Sequence, residues 1–299
     1  MFSIATLWIP FTITAALGQV ARNAMQRQLT GPLGTWGATN IRFLFGFPFS
    51  IIFLAVVLAV SGDRLPVPTA AFGPWLLLGA LTQITGTGMM LLAMNERSFV
   101  VTTAYLKTEA IQTAIFGFVF LGDHLTLMKV IAILIATIGV VIAALRPGAE
   151  KGFADLKPTL LGLGAAASFA LSAVGFRGAV IVVPGVSFVT AASFTLVLGL
   201  FVQTLVLSIY LLVRAPDVLK KILGLWKPSM LAGFMGAFAS QFWFLAFALT
   251  AAANVRTLAL VEVLFAQAVA YYSFKQPVSA RELFGIVLIV IGVALLVAA

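Results

Sequence analysis

The sequence predicts an all-α polytopic membrane protein, with ten transmembrane helices arranged as two inverted five-helix repeats around a central cavity. Three observations carry that expectation. The 299 residues are 62% hydrophobic and only 9% charged, with a mean hydropathy of +1.14. Water-soluble chains hold about 25% charged residues, so a surface this poor in charge needs lipid around it. Cut at its Pro, Gly and charged residues, the chain falls into ten runs that each approach or exceed the roughly 20 apolar residues needed to cross a bilayer. Slid on itself by 153 residues, it places Glu109 on Glu262 and Gly139 on Gly292, without a gap from about Pro74 onward.

In chain order the expected spans lie near 5–28, 34–60, 69–94, 98–121, 125–145, 158–182, 186–213, 227–250, 255–274 and 279–298. Stretches 130–145 and 283–297 are apolar on every face, which excludes the alternating pattern of a membrane β-barrel. Polar length appears in two connections, 146–157 and 214–227. The first of these divides the chain into a five-helix repeat at 1–147, a loop at 148–157 and a second repeat at 158–299. An odd number of spans per repeat starts the second on the opposite side of the membrane, so the repeats are inverted. Inverted repeats recur in secondary transporters, with the substrate near the midplane at their interface.

Composition also excludes several functions. There is no Cys and a single His, His124, beside Asp123 in a tight turn; no metal site or thiol chemistry is expected from that set. The glycines match no phosphate-binding fingerprint followed by the required strand, and no cofactor is expected. The net charge of +9 comes from Lys and Arg clustered between apolar runs, as retained inter-helix loops carry them; no nucleic-acid partner follows. No basic segment precedes the first apolar run, so it is expected to stay as a helix rather than be cleaved.

Ionisable groups inside the spans are the candidate functional residues, because a charge at membrane depth costs several kcal/mol unless it faces a bundle interior or a wet cavity. They are Arg22, Arg42, Lys107, Glu109, Arg177 and Glu262. Glu109 and Glu262 fall near the middle of the fourth and ninth spans. Lys107 and Glu109 are two residues apart and point about 200° from each other on a helix, so each needs a partner elsewhere or water. Tyr105, Glu109 and Gln112 share one face of the fourth span, and Gln19, Arg22, Asn23 and Gln26 share one face of the first. The second stripe either lines a cavity mouth or snorkels to the headgroups. Gln83, Thr87, Gln241 and Trp243 lie in the small-residue-rich third and eighth spans and supply the sparse polar contacts of a ligand pocket. Substrate contact is therefore expected from Gln83, Thr87, Tyr105, Lys107, Glu109, Gln241, Trp243 and Glu262. Cavity-lining or gating roles fall to Gln19, Arg22, Asn23, Arg42, Gln112 and Arg177.

The end of each half reads as a short charged turn and then a helix with a late glycine: Gly122-Asp123-His124 leading to Gly139-Val140-Val141, and 278–282 leading to Gly292-Val293-Ala294. Trp36-Gly37-Ala38-Thr39-Asn40-Ile41-Arg42-Phe43-Leu44 adds an Arg-Phe pair to the second span. These segments resemble the EamA units of the drug/metabolite transporter superfamily, and within it the YddG-type exporters of aromatic and other neutral amino acids. The second half departs, with Phe194-Thr195 in place of the Arg-Phe pair and Lys275-Gln276-Pro277 in place of Gly-Asp-His. The resemblance implies a secondary transporter, not an enzyme, exporting amino acids by alternating access across a bacterial cytoplasmic membrane.

Other metabolites, such as a sugar phosphate or nucleotide sugar, stay open as substrates, since the interior cations suit phosphate as well. A passive channel and an intramembrane lipid-modifying enzyme are the readings from other classes; two glutamates without an intramembrane His give an enzyme little to work with. Lipid is the surrounding partner, and no obligate protein partner is expected. Twelve Lys and Arg lie toward the odd-numbered loops, against Arg64, Lys129, Arg177 and Arg256 toward the even ones. That bias puts the 146–157 and 214–227 loops in the cytoplasm and both termini outside, whereas the resemblance implies both termini inside.

Overall fold

The computed structural model describes residues 4–96, 102, 105–144, 156–265 and 279–299. The start of the fourth expected span, the end of the ninth, most of the 146–157 loop and the turn at 275–277 lie outside them. The described residues form eleven α-helices and no strand. They are α1 (Trp8–Leu44), α2 (Gly46–Ser61), α3 (Phe72–Glu96), α4 (Glu109–Phe116), α5 (Leu127–Ala144), α6 (Leu156–Ile181), α7 (Phe188–Arg214), α8 (Pro216–Gly224), α9 (Trp226–Leu249), α10 (Ala252–Leu258) and α11 (Ala280–Ala298). Six helical stretches among these residues are long and apolar enough to cross a membrane, and two more, Glu109–Leu121 and Leu127–Ala143, are apolar but shorter.

Two expected boundaries shift, each for a local reason. The first span does not stop near residue 28 but runs to Leu33, because the break is made at Gly34, with φ 66° and ψ 179°. Only glycine takes that conformation cheaply; Gly31 and Pro32 look like breakers in the sequence but are carried in the helix's last turn. The connection at 214–227 is not simply a polar loop. Its middle folds as α8, started by Pro216 at the first helical position, where proline's missing N–H costs nothing. Ile222 of α8 is fully buried in an apolar cluster with Leu29, Leu33, Ile41, Leu211 and Ala232.

The helices gather into two compact units. One is built from Met1–Ile84 and Gly175–Thr250, the other from Thr85–Val174 and Ala251–Ala299. Each unit draws on both halves of the chain, and the divisions fall inside α3 and α6. In the first unit α1 packs along α9, with α2 and α7 beside them. A Cβ at Gly233 would lie 2.5 Å from the Cβ of Phe45 and 2.8 Å from the Gly46 nitrogen, so α9 meets the α1–α2 junction backbone to backbone. In the second unit α5 and α11 form the main seam. A Cβ at Gly139 would stand 2.7 Å from the Gly285 carbonyl oxygen, and one at Gly292 would stand 2.6 Å from the Ala136 nitrogen. Small residues let helices approach this closely in lipid, where dispersion rather than the hydrophobic effect holds them together.

Candidate functional site

The second unit contains a cluster of four charges. Helical backbone at residues 105–106 gives way to a turn at Lys107-Thr108, and α4 restarts at Glu109. Lys107 and Glu109 therefore diverge, and each meets a residue from the second half of the chain. The Lys107 ammonium donates to Oε1 of Glu262. The Arg256 Nε of α10 lies 3.0 Å from Oε1 of Glu109. Side-chain exposure is 13% and 16% in the first pair and 11% and 20% in the second. Glu109 is within electrostatic reach of the other three charges, so the four form one neutral set in a dry setting, where breaking a pair leaves an uncompensated charge. Arg256 was not among the sequence candidates, because its place at the start of the ninth span reads as a loop cation. The available signal was a single cation inside the apolar run 252–265, six residues before Glu262.

Tyr105 is buried near this cluster in sequence, its hydroxyl 2.7 Å from that of Thr159. Gly162 makes room for its ring, since a Cβ there would lie 2.7 Å from Cδ2 of Tyr105. The turn at Lys107-Thr108 separates Tyr105 from Glu109 and Gln112 of the expected stripe, and the Gln112 amide donates to Thr108 Oγ1 at 3.0 Å. Thr87 is buried in the same unit. An open apolar recess of about 420 Å³, lined by Met89, Leu156, Lys157, Leu160 and Leu161, contains none of the candidates.

The remaining candidates belong to the first unit. There α7 supplies two polar partners absent from the sequence candidates. Gln203, buried, donates to Gln83 Oε1 at 2.8 Å, and Ser193 Oγ accepts from the Gln241 amide at 2.8 Å. Trp243 stacks on Phe247, with ring centroids 6.4 Å apart and an interplanar angle of 21°. Gln203 is a lone amide in an apolar run, which is the signal that could have found it.

Arg22 and Arg42 are both buried. Arg22 Nη2 donates to Asn23 Oδ1 at 2.7 Å, and the Arg42 guanidinium lies 5.1 Å from the centre of the Phe43 ring. Their stems converge on Gly236, where a Cβ would come within 3.2 Å of Arg42 Cγ and 3.5 Å of Arg22 Cδ. Gln26 donates to the Ala38 carbonyl at 2.8 Å across the Gly34 break, and Gln19 is half-buried. Within the α1 stripe Arg22 and Gln26 are thus turned inward, whereas Asn23 is exposed. Arg177 Nη1 donates to the carbonyls of Phe247, at 2.8 Å, and Thr250. It closes the C-terminus of α9, where the helix dipole favours a cation.

This pattern of apolar helices, glycine seams and charges held at membrane depth is that of a polytopic membrane protein, and comparison with known families specifies it. Residues 6–145 match the EamA-like transporter family. The chain is thus a multi-pass integral membrane protein whose first half is EamA-like. No curated relative matches it. Among solved crystal structures, one superposes with a TM-score of 0.71 at 14% identity, covering 97% of this chain and 97% of the other. At that identity the likeness concerns the fold alone.

Proposed function

We propose that this chain is a secondary transporter that exports neutral amino acids, aromatic ones included, by alternating access, and that it is built as two inverted EamA-like repeats. The observation that carries the reading is the four-charge cluster. Lys107 and Glu109 come from the first half of the chain and Arg256 and Glu262 from the second, so each ion pair joins one half to the other. Two cations and two carboxylates are the complement of a zwitterion, whose ammonium and carboxylate can take over one member of each pair. A solute that does so separates the halves locally at little electrostatic cost, because every charge keeps a partner. Support for a transporter comes from the family match over 6–145, and support for a second, diverged repeat comes from the alignment of Glu109 with Glu262 and Gly139 with Gly292.

A second reading has its own observation. The buried guanidiniums of Arg22 and Arg42, converging on Gly236, favour an anionic solute such as a sugar phosphate. Both readings meet one experiment, a competition screen in proteoliposomes with one labelled amino acid against unlabelled amino acids, sugar phosphates and lipophilic cations. Zwitterions are expected to compete and lipophilic cations to fail. Competition by sugar phosphates alone decides for the second reading, and non-saturable flux decides for a channel. The charge bias puts both termini outside, and a membrane-impermeant thiol reagent tests it on this Cys-free chain. With the bias correct, Cys at Ala299 reacts from outside the cell and Cys at Gly224 does not.

A further inference from the structure

We infer that α8 and the helix ends flanking it form a docking surface for the headgroups of anionic phospholipids. This short helix joins α7 to α9, both long enough to span, and therefore lies at the membrane boundary. Its two faces are unlike. Val218, Leu219 and Ile222 turn inward onto the cluster of Leu29, Leu33, Ile41 and Leu211. Lys220 and Lys221 turn outward and are exposed. Arg214 and Lys227, also exposed, stand just before and just after it, so four cations fall within fourteen residues, with Asp217 as the one acid among them. The Lys220–Asp217 pair at 3.5 Å has both side chains more than four-fifths exposed, and a pair so wet holds neither partner firmly.

Apolar groups share the outward side. Leu223 is 66% exposed, Trp226 is 48% and Val213, in the last turn of α7, is 72%, while the Lys227 ammonium lies 5.7 Å from the Trp226 ring centre. An indole beside lysines at a span end is the composition of a headgroup-level anchor. Each Lys or Arg near an anionic leaflet adds attraction that falls off within a Debye length. Charge complementarity thus selects an anionic lipid surface over a zwitterionic one. The attachment also reaches the α1 break: a Cβ at Gly37, three residues past Gly34, would lie 2.7 Å from Val218 Cγ1.

The inference is independent of what is transported, and its test involves no transport. A Cβ at Gly224 would have nothing within 4 Å, and the same holds at Gly73 at the start of α3, so a fluorophore on Gly224→Cys or Gly73→Cys of the full chain disturbs little. In liposomes of phosphatidylcholine and phosphatidylglycerol, brominated chains on one lipid or the other report which neighbours the label. The Gly224 label is expected to be quenched about three-fold more by brominated phosphatidylglycerol than by brominated phosphatidylcholine at equal mole fraction. That preference should vanish when Lys220→Gln and Lys221→Gln are combined, and the Gly73 label should show none. Equal quenching by the two lipids at Gly224, or a preference that survives both lysine changes, overturns the proposal. So does a preference abolished by inorganic phosphate but not by chloride at matched ionic strength, which marks a small-anion site instead.

Discussion

The two compact units carry equal numbers of Lys and Arg, nine each, yet of the nine carboxylates only Asp63 and Asp217 belong to the first. None of the membrane-depth segments of that unit contains an acid. Its buried guanidiniums rest on neutral groups: Arg22 on the Asn23 amide oxygen, Arg42 over the Phe43 ring, Arg177 on the last carbonyls of α9. The second unit solves the same problem with carboxylates, pairing Lys107 with Glu262 and Arg256 with Glu109. A cation held by carbonyls and rings is fixed in place by the helices that present them. One held by a carboxylate can exchange it for another carboxylate, such as a solute's, which is why we assign the moving chemistry to the second unit.

The largest expected effect comes from breaking that exchange. Glu262→Gln leaves Lys107 without its counter-charge, and Glu109→Gln does the same to Arg256. Loss of one partner from a buried pair costs on the order of 3 kcal/mol, less where some solvent reaches it. Each variant is expected to lose at least about ten-fold in proteoliposome flux, a deficit of roughly 1.4 kcal/mol or more, and to lose proportionally less in folded yield. Reversing the pair, with Lys107→Glu and Glu262→Lys together, should return the yield to that of the parent chain, since opposite charges still face each other. Unchanged flux in both single variants would remove the cluster from the mechanism.

The glycine seam of the same unit comes next. Gly292→Ala puts a methyl group 2.6 Å from the Ala136 nitrogen and 2.8 Å from the Ala132 carbonyl oxygen, all backbone atoms that no rotamer change relieves. Overpacking of this kind costs about 1–3 kcal/mol, read as a lower unfolding temperature of the detergent-solubilised chain. Gly31→Ala, where a Cβ meets nothing within 4 Å, is the control and should shift it by no more than the small helix-propensity gain. A seam that tolerates Gly292→Ala as well as Gly31→Ala is not closed in the way α5 and α11 require.

Much of this was legible before any coordinates, because lipid leaves so few ways to place a span. The described spans begin and end within a few residues of the expected places, except where the deciding residue was one glycine among several. Gly31, Pro32 and Gly34 read alike as breakers, and only the backbone shows that Gly34 carries the positive φ. Helix α8 was hidden because nine residues with two lysines and an aspartate resemble a loop until Ile222 is seen in the core. At the site, the divergence of Lys107 and Glu109 followed from two-residue spacing. Their partners did not, since 147 residues separate Glu109 from Arg256 and no periodicity links them. Of the polar residues of α7, Gln203 stood out as a lone amide in an apolar run, whereas Ser193 is one of several small hydroxyl residues there and gave no such signal.

The smallest expected effect belongs to the first unit, at the Asp63 carboxylate. Asp63, in the connection after α2, accepts from the Ser187 N–H at 3.1 Å, the Ser187 hydroxyl at 2.7 Å and the Thr190 hydroxyl at 2.6 Å. The contact ties that connection to the start of α7, where a negative charge also meets the positive end of the helix. Those hydrogen bonds, the Ser187 and Thr190 hydroxyls foremost, lower its pKa from 3.8 to about 2. A depressed folded-state pKa means that the contribution is complete above 3.8 and fades as the pH falls toward about 2. Asp63→Asn removes the charge at every pH. The variant should therefore unfold at a slightly lower temperature than the parent at pH 5, and the gap should close between about pH 4 and pH 2. Taking the difference between the two chains cancels every contribution that both share. A gap that stays constant down to pH 2 would mean that the aspartate's shape, and not its charge, holds the connection to α7.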